Sequence, residues 1–103
     1  MAESWKRVAD VQDIPRGEAR VVEVAGRALA VFNVDGQFYA LDNACTHRGG
    51  PLGEGELDGA VVTCPWHAWR WDVTTGANVN NPGLRVPSLP VTVRDGVVLV
   101  NLA

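Results

Sequence analysis

The segment Ala28-Leu29-Ala30-Val31-Phe32-Asn33-Val34-Asp35-Gly36-Gln37-Phe38-Tyr39-Ala40-Leu41 places two strand-length apolar runs on either side of an Asp-Gly pair. That dipeptide accepts the positive φ angles of a two-residue hairpin turn, so the segment predicts a tight antiparallel hairpin. Working outward, Val91 to Arg94 and Val97 to Val100 flank Asp95-Gly96 in the same way. Arg20 to Val24 is another valine-rich burst, with Gly26 turning the chain toward Ala28, and Asp58-Gly59 is read as a turn of the same kind before Ala60 to Thr63.

No window shows sustained helical periodicity, and no cap precedes an amphipathic run, so long helices are not expected. Eleven glycines and six prolines, spread along the chain, fit an all-β sandwich or barrel of short antiparallel strands. With 103 residues, 47% hydrophobic and 20% charged, and with no linker or repeat, one domain over 1–103 is expected. A chain this short gains from a bound metal centre that fastens loops together. The segment 1–10 has charges and a tryptophan but no apolar stretch, and no run approaches the roughly 20 residues that span a bilayer. The expectation is therefore a cytoplasmic protein without a membrane anchor. Nine basic and twelve acidic residues, net charge -3, give no electrostatic footprint for nucleic acid. In a reducing cytosol Cys45 and Cys64 serve better as metal-binding thiolates than as a disulfide.

Two stretches break the strand pattern, 43–55 and 64–67, and they contain every cysteine and histidine of the chain. The first carries Cys45-Thr46-His47-Arg48-Gly49-Gly50-Pro51-Leu52 and the second Cys64-Pro65-Trp66-His67, separated by residues 48–63. Each loop thus offers one sulfur and one nitrogen ligand. Hairpins that present two loops at one end can hold such groups rigidly.

This pattern, Cys-x-His and then Cys-x-x-His after about sixteen residues, resembles the Rieske family. The likeness extends to Pro51-Leu52, Gly55-Glu56-Leu57-Asp58-Gly59, Asp72, Thr75-Gly76 and Asn81-Pro82-Gly83, nearly the length of the chain. The resemblance implies an antiparallel Rieske-type β-sandwich or barrel with a two-loop cluster-binding subdomain. It implies a [2Fe-2S] cluster whose first iron is held by Cys45 and Cys64 and whose second is held by His47 and His67. It also places Pro82 in a loop covering the cluster's third side, and the two imidazole edges at the docking face.

Two ferric ions, two sulfides and two thiolates sum to zero charge, so this cluster is neutral when oxidised, whereas four thiolates leave an anion. Adding an electron to a neutral centre is easier, and Rieske potentials run from roughly -150 to +300 mV against about -400 mV for plant-type ferredoxins. High-potential members resembling this chain carry an extra cysteine in each loop and a serine and tyrosine after the second histidine. Here Gly50, Trp66, Trp69 and Trp71 take those places, which resembles the low-potential branch and predicts a midpoint on the order of -150 mV.

The function implied is a soluble one-electron carrier between a flavin-containing reductase and the terminal oxygenase of a ring-hydroxylating system. A small subunit of a larger oxidoreductase such as nitrite reductase is the alternative, and a zinc-stabilised interaction module is the alternative of another class. Zinc fingers usually pair like with like, Cys with Cys and His with His, whereas each loop here mixes the two. No nucleophile with a base, no phosphate loop and no open metal position suggests an enzyme. Trp69 and Trp71 alternate onto one strand face and read as shields against water; Trp66 divides evenly between docking surface and packing. Ala68 stands where the family usually has glycine, so a positive φ there implies strain. Glu54, Glu56 and Asp58 read as a solvated acidic turn beside the first loop, with a modest steering role as the alternative.

Overall fold

The computed structural model describes residues 5–43, 51–65 and 68–102. Ten strands follow one another: β1 (Trp5–Asp10), β2 (Ala19–Val24), β3 (Arg27–Val34), β4 (Gln37–Asp42), β5 (Glu56–Asp58), β6 (Val61–Thr63), β7 (Arg70–Asp72), β8 (Ser88–Leu89), β9 (Val91–Arg94) and β10 (Val97–Asn101). They form three antiparallel sheets, ordered β1-β10-β9, β2-β3-β4-β8 and β5-β6-β7. The only helical pieces among the described residues are two single 3₁₀ turns, Val11–Asp13 and Leu52–Glu54. The expected all-β architecture is the one observed.

Turn chemistry sets the hairpins. Asp35 and Gly36 have φ of 52° and 96°, and Asp95 and Gly96 have 54° and 76°, the paired positive angles of type I′ turns. Ala25 and Gly26 repeat this at 52° and 79°, so an alanine also occupies a left-handed position there. The expected Asp58-Gly59 turn is shifted by one residue. Asp58 pairs with Val61 inside the strand, and the turn is Gly59-Ala60, with Gly59 at φ 61° in its first position, the arrangement of a II′ turn.

Strand β3 explains the architecture. Its side chains alternate between two cores: Leu29 and Val31 join Ala9, Ile14, Phe38, Val98 and Val100, while Ala30 and Phe32 join Leu41, Leu52, Val62, Cys64, Trp71, Val73 and Val86. The sheet of β1, β10 and β9 therefore covers one face of the central sheet, and the β5–β7 subdomain covers the other. Asn33, 4% exposed, is a buried polar residue that ties the first core's edge together. Its Nδ2 donates to the Ile14 carbonyl at 2.7 Å, and its Oδ1 accepts the Gly36 N–H at 2.7 Å.

No strand was read in the segment 1–10, yet β1 pairs with β10. A register shift between Arg7 and Ala9 makes Val8 an extra residue, and this bulge breaks the period-two pattern that would have marked the strand.

Residues 72–77 make a tight connection beside the subdomain. Asp72 Oδ1 accepts the Thr74 N–H at 2.9 Å and its hydroxyl at 2.6 Å, and the Asp72 carbonyl accepts the Gly76 N–H at 2.7 Å. Gly76 has φ 84°, and a Cβ there would overlap the Val86 carbonyl oxygen. Left-handed strain of about 1–2 kcal/mol and overpacking of about 1–3 kcal/mol add up against any larger residue. Gly76→Ala is thus expected to lower the unfolding free energy by about 2–5 kcal/mol, read as a lower urea midpoint; an unmoved midpoint would contradict this packing.

Candidate metal centre

Of the four expected ligands, Cys64 lies within the described residues; Cys45, His47 and His67 lie outside them, as do Trp66 and Arg48. Cys64 follows β6 directly and is 1% exposed, inside the core that contains Leu52, Val62, Trp71 and Val86. Its N–H donates to the Trp69 carbonyl at 2.6 Å, which extends the β6–β7 ladder by one step and closes the second loop at its base.

The first loop is closed just as firmly. Asn43 ends the described part of the chain before it, and Pro51 resumes the chain after it. The Leu52 N–H donates to the Asn43 carbonyl at 2.8 Å and the Gly53 N–H to Asn43 Oδ1 at 2.8 Å. The Asn43 N–H itself donates to the Ala28 carbonyl at 3.1 Å, so this closure is anchored to the central sheet. Glycine is needed twice here. A Cβ on Gly53 would press into Val21 Cγ2, and one on Gly55 would overlap the Thr63 carbonyl oxygen, one residue before Cys64. The returning arm of the first loop thus packs backbone-to-backbone against the strand that delivers Cys64.

Ala68 has φ 57°, the left-handed angle anticipated for a position usually held by glycine. Such a conformation costs an L-residue about 1–2 kcal/mol. Trp69 and Trp71 stack at 6.1 Å between ring centroids, tilted by 36°, with Trp71 fully buried and Trp69 half-buried. Trp71 Nε1 is buried and has no hydrogen-bond partner. An unmet buried donor costs about 1–3 kcal/mol. Glu54, Glu56 and Asp58 are all exposed, and the first two line a shallow cleft that also borders Cys64, Pro65 and Ala68. Pro82 is exposed, in the loop held by Asn78 Oδ1, which accepts the N–H groups of Asn80 and Asn81. That loop shares a cleft with Ala68, Trp69 and Arg70 and so lies beside the second loop's base. Among the described residues no helix is long and apolar enough to cross a membrane.

A family profile described as the Rieske [2Fe-2S] domain matches residues 4–90. The chain belongs to this family. The Rieske chain is 35% identical, over the whole of both sequences, to the ferredoxin component of a naphthalene 1,2-dioxygenase system from Pseudomonas aeruginosa. Its fold superposes with a TM-score of 0.88, at 36% identity and over 97% of this chain and 94% of the other, on a chain from the complex of reduced oxygenase and oxidized ferredoxin in carbazole 1,9a-dioxygenase. It also matches the terminal oxygenase of carbazole 1,9a-dioxygenase from Nocardioides aromaticivorans, with a TM-score of 0.83 and 27% identity, but over only 29% of that larger chain.

The residues present fit a Rieske-type [2Fe-2S] group. The sequence supplies two thiols and two imidazoles, Cys64 is delivered buried at the base of the second loop, and the buried Trp71 N–H of the same core has no acceptor among the described residues. Zinc is set aside, since the cofactor of the family is the iron-sulfur cluster.

Replacing Ala68 by glycine relieves the left-handed strain and pays back part of it as unfolded-state entropy of about 0.4–1 kcal/mol. Ala68→Gly is therefore expected to raise stability by about 0.5–1 kcal/mol, and Ala68→Val to lower it. Thermal unfolding of the cluster-loaded variants checks this, with glycine highest and valine lowest; the reverse order would refute the strain.

Proposed function

We propose that this Rieske chain is a one-electron carrier, receiving electrons from a flavin-containing reductase and delivering them to the terminal oxygenase of a ring-hydroxylating system. The observation that carries this reading is the end-to-end match to ferredoxin components, against a match to only 29% of a terminal oxygenase chain. Cys45 and Cys64 hold the inner iron and His47 and His67 the outer one, with the imidazole edges forming the docking face. Bound there, the cluster takes up and gives back one electron.

The polypeptide's part is positional. The Asn43 clamp and the Cys64–Trp69 hydrogen bond fix the bases of the two loops, and the Trp69–Trp71 pair keeps water from the inner side. Residues 1–103 act as one domain, supported by the pairing of β1 with β10, which puts both ends of the chain in one sheet. The chain transforms no substrate itself, and a thiolate-ligated cluster suits the cytoplasm. A role as electron-transfer subunit of a larger oxidoreductase, such as nitrite reductase, is the second reading, and isolation of the active protein in permanent complex with a larger enzyme would favour it.

The test combines composition, spectrum and turnover. Anaerobically reconstituted protein is expected to bind two irons and, once reduced with dithionite, to give an electron paramagnetic resonance signal with the mean g value of mixed nitrogen and sulfur ligation. Exchange of any one of Cys45, His47, Cys64 or His67 for alanine abolishes that signal. The midpoint is expected on the order of -150 mV, and a value above roughly +100 mV would exclude the low-potential branch. Purified reductase and terminal oxygenase should turn over only when the loaded chain is added; turnover without it would sink the carrier role.

A further inference from the structure

Trp71 carries a buried hydrogen-bond donor that has no acceptor among the described residues. The residue is 0% exposed and its Nε1 has no partner. Across the sheet it faces Asn78 through an isolated bridge. The Asn78 amide oxygen already accepts the N–H groups of Asn80 at 2.9 Å and Asn81 at 3.0 Å, which uses both its lone pairs. Among the buried residues of the hydrophobic cluster that contains Trp71, Cys64 is the one that carries a sulfur.

Register places Trp71 and Cys64 on the same face. Val62 pairs with Trp71 and Thr63 with Arg70, and the ladder continues through the bond from the Cys64 N–H to the Trp69 carbonyl. Alternation puts the side chains of Val62, Cys64, Trp69 and Trp71 on one side, with Cys64 diagonal to Trp71, a separation that long aromatic side chains bridge. A buried donor without a partner among the described residues, diagonal to an expected cluster ligand, calls for an acceptor that the cluster brings with it.

We propose that Trp71 Nε1–H donates a hydrogen bond to a sulfur of the [2Fe-2S] cluster, either a bridging sulfide or a ligating thiolate, and thereby raises the reduction potential. This rests on the Rieske reading above. An electron added to the cluster makes its sulfurs more negative, so an N–H aimed at one of them favours the reduced form over the oxidised form. The indole thus acts as a tuning group in addition to being a shield, and the two roles make opposite predictions.

The test uses the full, cluster-loaded chain. Trp71→Phe removes the donor and keeps an aromatic ring. The ratio of reduced to oxidised protein at a fixed ambient potential is expected to fall about tenfold, equivalent to a midpoint lower by about 59 mV for a one-electron couple. If Trp71 only excluded water, the smaller ring would admit it, the added charge would be better solvated and the midpoint would rise. An unchanged or higher midpoint therefore overturns the proposal. Electron-nuclear double resonance of reduced wild-type protein with ¹⁵N-labelled indole provides a second readout that needs no variant. An exchangeable proton and an indole nitrogen coupled to the cluster are expected, both lost in Trp71→Phe, and their absence in the wild type overturns the proposal as well. Wild-type protein without iron would instead refute the Rieske assignment, so the two failures are distinguishable.

Discussion

The burial of β3 on both faces is the constraint from which the rest follows. Leu29 and Val31 feed one core and Ala30 and Phe32 the other, so a slip of one residue in its pairing with β4 would exchange the two sets. The Asp35-Gly36 turn prevents that slip by fixing Val34 opposite Gln37 and Phe32 opposite Tyr39. One core joins the chain's ends through β1 and β10. The other is the floor on which the metal-binding subdomain stands, so the geometry of the loops is tied to the stability of the whole sheet.

That floor has to support strands of only three residues each. Three-residue strands such as β5, β6 and β7 have too few ladder bonds to persist alone, and three or more strands need an apolar face packed on something else. Here Leu52, Val62, Trp71 and Val73 provide that face, all at 1% exposure or less. The large indole of Trp71 does the work that several smaller side chains do elsewhere in the fold. Gly55 and Gly76 let neighbouring backbones approach where a side chain would hold them apart.

Much of this was legible in the sequence where a residue type has a single strong physical preference. Asp35-Gly36 and Asp95-Gly96 announced their turns because few other pairs accept two positive φ angles, and the long valine-rich runs announced β2, β3, β4, β9 and β10. The family was legible because the chain's two cysteines and two histidines, its whole supply of both types, fall into two matched pairs. What escaped had no such signature. β1 was hidden by the bulge at Val8, and β5 and β8 were too short to show a period. Ala25 sits in a left-handed conformation that alanine gives no reason to expect, and it is held there by the pairing of Val24 with Arg27 on either side. The orphaned donor of Trp71 depends on the saturation of Asn78 by two backbone N–H groups far along the chain, which no local pattern encodes.

Burial and chemistry meet at Cys64. A thiolate at 1% exposure, in a core that includes Leu52, Val62 and Val86, is expensive unless a cation or hydrogen-bond donors compensate it. A neutral thiol would fit the core without that expense, but it cannot ligate iron. Coordination to iron, as proposed above, would resolve the conflict, because the positive charge of the metal cancels that of the thiolate. The same low-dielectric surroundings then favour a centre that is neutral when oxidised and only singly negative when reduced, which is what two imidazoles in place of two thiolates provide. On the ligand set proposed above, folding of the second core and assembly of the cluster are coupled, and mixed ligation is what would let the metal centre share a core with hydrocarbon.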